Sequence, residues 1–171
     1  MNSGAWSEPV VFRPAVVEDA EALADIWVAR VGGDRDQAIE RSGRVIESAE
    51  GEAFLLAAEV AGVLVGYGRI LRFLKPEDSP ATTVPSGWYL LGLGVRQDMR
   101  RRGIATELTR RRLEWMRERA IERALYFAND DNEISIRLHE KFGFKRVRRG
   151  VTYPRMREPD VPMSLYALSL I

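Results

Sequence analysis

The sequence predicts an α/β fold, a mixed sheet of about six to seven strands flanked by four helices. Three observations predict it. Segments with helical apolar spacing interleave with short apolar runs, in the order β-α-α-β-β-β-α-β-α-β-β. The stretch 88–128 reads strand, helix, strand, so its two strands should run parallel with a right-handed crossover. The length, 171 residues with 46% hydrophobic side chains, suits one domain over residues 1–171 with a sizeable core.

Each element follows from its own residues. Val10–Arg13 reads as a short strand, stopped by Pro14. A helix is expected over Glu18–Val31, where Leu23, Trp27 and Val31 recur at four-residue spacing beside Ala20 and Ala24. Glu18, Asp19 and Glu21 put negative charge at the positive end of its dipole, and Gly32-Gly33 end it. A more polar helix is expected over Arg35–Ala49, stopped at Gly51. Ala53–Val60 and Val63–Phe73 are strand-like runs joined at Ala61-Gly62, a two-residue hairpin turn. Lys75–Gly87 carries three prolines and no periodicity, so it reads as a loop.

Trp88–Val95 is nearly all apolar, as a strand buried on both faces would be. Its glycines, Gly92 and Gly94, mark a bulge or a close approach by a ligand. The third helix covers Gly103–Arg119. Ile104, Leu108 and Trp115 cluster on one side, while Glu107, Arg110, Arg111, Glu114, Arg117 and Glu118 hold the other. Ala124–Ala128 is another buried strand. The fourth helix covers Asp131–Phe142, with Asp130 and Glu133 as a capping box and Gly143 as its stop. Lys145–Val151 and Met163–Leu170 are the last strands.

Composition excludes several chemistries. There is no cysteine, so disulfide scaffolds, Cys-zinc sites and cysteine nucleophiles are out. His139 is the one histidine, which rules out a multi-histidine metal site; no metal is expected. No apolar run approaches a membrane span, so no membrane partner is expected. The first residues lack a charged start followed by an apolar stretch, so a cytoplasmic location is expected. The formal charge of +1 hides a split: residues 1–95 hold 8 basic and 14 acidic side chains, residues 96–157 hold 18 and 9. A basic block after an acidic half suggests an anion bound by the second half.

The most informative segment is Leu93–Thr106, LGVRQDMRRRGIAT. Arg100-Arg101-Arg102-Gly103 lies between a buried strand and an amphipathic helix. N–H groups at a helix start lack intrahelical partners and sit at the positive dipole end, which suits phosphate. Gly103 permits positive φ, Ala105 is small, and the arginines add forked donors. A solvated basic face and a nucleic-acid surface are the alternatives. Glu107, Glu114 and Glu118 among the arginines and the low net charge argue against nucleic acid. Neither G-x-G-x-x-G nor G-x-x-x-x-G-K-S/T occurs.

The run Val95-x4-Arg100-x-x-Gly103-x-Ala105 resembles the acetyl-CoA signature of the GNAT superfamily of N-acetyltransferases, Gln/Arg-x-x-Gly-x-Gly/Ala. A second run is similar to that family's helix after the fifth strand: Asn132-x-x-Ser135-x-x-Leu138-His139-x-Lys141-x-Gly143-Phe144. VFRPAVVEDAEAL and AAEVAGVLVGYGRI also resemble its opening and its second and third strands. The resemblance implies a single-domain GNAT-like fold, a mostly antiparallel twisted sheet with a splayed central parallel pair. It implies acetyl-CoA as cosubstrate, a small-molecule primary amine as acceptor, and a homodimer by analogy alone. A protein-modifying acetyltransferase and a non-catalytic acyl-CoA-binding module are the alternatives.

Carried over by resemblance, Leu93 and Val95 offer main-chain groups to pantetheine, and the Val95 N–H polarises the thioester carbonyl. Arg100, Arg101, Arg102 and Gly103, with Ala105 and Thr106, cradle the pyrophosphate. Asn132 bonds the pantetheine arm, and Ser135, one turn on, faces the same channel. His139 stands where the family usually has a tyrosine that protonates the departing thiolate. It is the candidate general acid, or else a structural histidine, with Tyr126 as a fallback donor. The strand 88–95 has no acid to serve as base, and Glu59 is a weak candidate. Asp34, Asp36, Glu40, Glu77 and Asp78 are candidate attractors of a cationic amine, and Trp88 and Tyr89 line the cleft or belong to the core. Residues 151–162 are a candidate cover for the substrate.

Overall fold

The computed structural model describes residues 8–47, 53–154, 156 and 160–171. The expected stop at Gly51 lies outside them. The described strands are β1 (Val10–Pro14), β2 (Ala53–Val60), β3 (Val63–Phe73), β4 (Gly87–Val95), β5 (Arg123–Asn129), β6 (Lys145–Val151) and β7 (Met163–Ser169). The helices are α1 (Ala20–Val31), α2 (Arg35–Glu47), α3 (Ile104–Glu118) and α4 (Glu133–Glu140). The strands form one seven-stranded sheet in the order β1-β2-β3-β4-β5-β7-β6. β4 and β5 run parallel, with Trp88 opposite Ala124 and Tyr89 opposite Leu125. The pairs β1–β2, β5–β7 and β6–β7 are antiparallel. No helix among the described residues is long and apolar enough to cross a membrane.

The chain divides into two compact units, Met1–Arg69 with Gly92–Leu108, and Ile70–Leu91 with Thr109–Ile171. In the first unit β2 is apolar apart from Glu59 because both its faces are covered. Leu56, Ala58 and Val60 pack with Val65, Met99, Ile104 and Leu108. Leu55 and Ala57 point the other way, onto Leu23 and Ile26 of α1 and onto Tyr67. The expected helix start at Glu18 is a one-turn 3-10 helix, Val17–Asp19, and α1 proper begins at Ala20. Asp19 explains the turn. Its carboxylate accepts the Val16 N–H at 2.8 Å and pairs with Arg13 at 2.7 Å, and Arg13 holds it below the usual carboxylate range.

In the second unit Val84, Tyr89, Leu125, Val151, Met163 and Leu165 form the core. The proline-rich segment between β3 and β4 is irregular, as expected, yet firmly docked. Val84 N–H donates to the Thr152 carbonyl at 3.0 Å, and Thr152 N–H to the Thr82 carbonyl at 2.9 Å. Arg148 ties down the Thr83 carbonyl at 2.8 Å. Tyr89 is core, with its hydroxyl on the Pro85 carbonyl at 2.6 Å. Trp88 is half-buried against Trp115.

Helix α4 departs from its expected cap. The N-cap is Asn132, whose Oδ1 accepts the Ser135 N–H at 3.4 Å. Asp130 cannot serve because its N–H is held by the Pro162 carbonyl and its carboxylate by Ser164 and Arg149, each at 2.6 Å. Gly143, at φ +95°, is the stop its position promised.

Candidate active site

Within the first unit, the end of β4 leads through a one-turn 3-10 helix, Gln97–Met99, into the basic loop. Buried Met99, Ile104 and Leu108 anchor both ends of that loop in the core. Arg100, Arg101, Arg102 and Gly103 are exposed between these anchors, with Ala105 half-buried and Thr106 exposed on the first turn of α3. Arg101 has φ +62°, a left-handed conformation that costs an L-residue about 1–2 kcal/mol. Gly103 has φ +79°, and a Cβ there would meet nothing within 4 Å. Backbone geometry, not crowding, calls for glycine at this position, and the space beside it is open. Three guanidinium groups, a helix start and an open glycine are a donor set that fits phosphate oxygens.

Leu93 and Val95 are half-buried, not fully covered as the apolar run suggested. The Leu93 carbonyl accepts from Arg30 at 2.6 Å, and the Val95 carbonyl from Arg100 Nε at 3.3 Å. Gly92 has φ +54°. The close approach at Gly94 is by a side chain of the protein: an added Cβ would lie 2.6 Å from the Tyr67 ring. The Tyr67 hydroxyl is buried without a partner among the described residues, and burial raises its pKa.

Within the second unit, β5 and α4 bring together Tyr126, Asn132, Ser135 and His139. Asn132 is exposed, and Ser135 is half-buried one turn on. The Tyr126 hydroxyl donates to Ser135 Oγ at 2.6 Å. The His139 ring is 2% exposed and stacks on the Tyr126 ring at 3.7 Å with an 8° tilt. His139 Nδ1 lies 2.8 Å from the Ser135 carbonyl, which can only accept. That contact puts the imidazole hydrogen on Nδ1 and leaves Nε2 a lone pair. Nε2 is buried without a partner among the described residues. Burial lowers the His139 pKa to about 4, against the raising effect of the Ser135 carbonyl and with help from the Arg112 charge. The ring is therefore neutral at pH 7.

Other expected residues have local structural partners. Glu59 pairs with Arg13 at 2.8 Å, Asp34 caps α2 through the Gln37 N–H, and Glu40 pairs with Arg44. Asp36, Glu77 and Asp78 are exposed. Thr152, Tyr153, Pro154 and Met156, after β6, line a shallow groove of about 440 Å³ with Asp78 and its neighbours. Three features escaped the sequence reading. The Tyr126–Ser135 hydroxyl pair joins residues from different elements, which no local pattern reveals. The Arg30 contact to Leu93 is equally long-range. Arg112, by contrast, had a signal: it lies one turn from both Leu108 and Met116 on the apolar stripe of α3. It is fully buried, donates to Thr109 Oγ1 at 3.1 Å, and has its pKa lowered to about 9 by burial.

The family model described as the acetyltransferase (GNAT) family matches residues 20–144. A sequence search of curated proteins finds no match. Among solved structures, an N-acetyltransferase from Staphylococcus aureus Mu50 superimposes with a TM-score of 0.72 at 20% identity, covering 95% of this chain and 99% of that one. A ribosomal-protein-alanine N-acetyltransferase from Brucella melitensis gives 0.71 at 20% identity, covering 93% and 99%. A putative acetyltransferase from Salmonella typhimurium, yncA, solved with its cofactor acetyl-CoA, gives 0.70 at 19% identity, covering 95% and 94%. These likenesses show a shared fold, and the family match spans both the basic loop and the Asn132–Phe144 segment: the chain belongs to the GNAT family of acetyltransferases.

Proposed function

We propose that the protein, acting as one domain, is an acetyl-CoA-dependent N-acetyltransferase that acetylates a primary amine of a small molecule. The observation that carries this reading is the loop Arg100–Gly103 at the start of α3, in a chain of this family. The Salmonella neighbour with acetyl-CoA supports the choice of cosubstrate. Arg100, Arg101 and Arg102, with the main chain from Gly103 through Ala105 and the Thr106 side chain, hold the pyrophosphate. Leu93 and Val95 offer main-chain groups to the pantetheine arm, and the Val95 N–H polarises the thioester carbonyl. Asn132 donates to the arm through its amide NH₂, since its Oδ1 caps α4.

Transfer is direct. With no cysteine in the sequence, a cysteine acyl-enzyme cannot form, which fits the amine meeting the thioester in one ternary complex. The acetyl group supplies the electrophile. The protein's contribution is to bind, orient and polarise it, and to supply a proton to the sulfur that leaves.

Titrating acetyl-CoA into the protein tests the binding half of this reading. Replacing Arg100, Arg101 and Arg102 together by Gln should weaken binding at least about tenfold and flatten its salt dependence. Turnover at saturation should persist, because phosphate contacts hold ground and transition states alike. Affinity indifferent to both the arginines and salt would contradict it.

A further inference from the structure

We propose that Ser135, backed by the Tyr126 hydroxyl, gives the leaving thiolate its proton. This rests on the transferase reading, with Asn132 holding the pantetheine arm one turn before Ser135. Among Tyr126, Ser135 and His139, Ser135 is the one open to a ligand: Tyr126 and His139 are both buried. Its oxygen already accepts the Tyr126 hydrogen at 2.6 Å, so its own hydrogen remains to be given.

An aliphatic hydroxyl alone is a poor acid, because giving up its proton leaves an alkoxide. The Tyr126 contact removes that obstacle. As Ser135 gives its hydrogen to sulfur, it takes the Tyr126 hydrogen, and the negative charge ends on a phenol oxygen, which bears it far better. The whole step balances. The nitrogen–carbon bond forms and the carbon–sulfur bond breaks. The amine sheds one proton to solvent, sulfur gains one, and solvent returns one to Tyr126 through Ser135 once product has left.

His139 then acts as a positioning residue. Its single N–H is committed to the Ser135 carbonyl, and its ring is a flat support for Tyr126. Both contacts converge on the hydroxyl pair and fix it. Phe144 borders the two rings edge-on, Tyr166 of β7 lies against Tyr126 at 5.6 Å, and the Arg112 charge of α3 is felt at His139.

The test uses the full chain and free-CoA release with an amine the unmodified protein acetylates. Tyr126→Phe keeps the ring stack and deletes only the hydroxyl; Ser135→Ala deletes the donor. Each should lower kcat about 100-fold with acetyl-CoA affinity unchanged by direct titration. The double variant should be no worse than either single one, and Ser135→Thr should restore most of the rate. In mixed light and heavy water, the unmodified enzyme should show two protons in flight and Tyr126→Phe at most one. If Tyr126→Phe stays within about threefold, or if kcat falls as pH rises through about 4, the His139 pKa, the proposal is overturned. Failure of the transferase reading shows earlier and separately, as unmodified protein that releases no CoA with any amine.

Discussion

His139 occupies a motif position from which proton donation was expected, and its surroundings give it another character. Burial favours the neutral ring, and the Ser135 carbonyl takes the one hydrogen that ring carries. The motif made the residue identifiable in the sequence. Its charge state was not legible, because the Tyr126 ring that covers it and the Arg112 charge reach it from β5 and α3, far away along the chain. A stability prediction follows. An unfolded histidine gains its proton near pH 6.5, whereas folded His139 does so near 4. Between those values the unfolded chain binds more protons, so His139 lowers stability as pH falls from about 6.5 to 4. The full effect is about 3 kcal/mol. Denaturation curves of His139→Gln and the unmodified protein, compared across this range, should converge as pH falls. Parallel curves would mean that the folded imidazole titrates normally.

At the scale of elements, the sequence patterns located every strand and helix within a few residues. Period-two and helical spacing are local signals, and Gly143 and Pro14 punctuate them. The ends were less legible. The α4 cap moved from Asp130 to Asn132 because Asp130 is committed to β7 and β6 through Ser164 and Arg149. In β4 the two glycines were recognisable as special: Gly92 has φ +54°, whereas the reason for Gly94 lay in β3. Tyr67 fills the space a side chain at Gly94 would need, and Ile26 closes it at 3.1 Å. Tyr67 is buried and has nowhere to swing. Gly94→Ala should therefore cost about 1–3 kcal/mol by overpacking. Gly43→Ala, on open α2 surface, should instead raise stability by up to about 1 kcal/mol. Urea midpoints at constant slope would measure both, and a neutral Gly94→Ala would show that β4 and β3 are looser than described.

For the molecule as a whole, the division of charge proves to be several local arrangements. Arg100, Arg101 and Arg102 stand together on one exposed loop, and Arg110 and Arg137 pair with Glu114 and Glu133 one turn away. In the acidic half Asp19, Asp34 and Glu59 serve caps and ion pairs. The basic loop was legible because its residues are consecutive. The hydroxyl pair was not, because residues 126 and 135 meet only once β5 and α4 have folded together. Release of free CoA from acetyl-CoA across a panel of small amines and peptide N-termini tests the proposed direct acetyl transfer to an amine. The expected result is saturable release that requires an amine, with the product heavier by one acetyl group and small amines preferred. Tight acetyl-CoA binding without amine-dependent release from any member of the panel would contradict it.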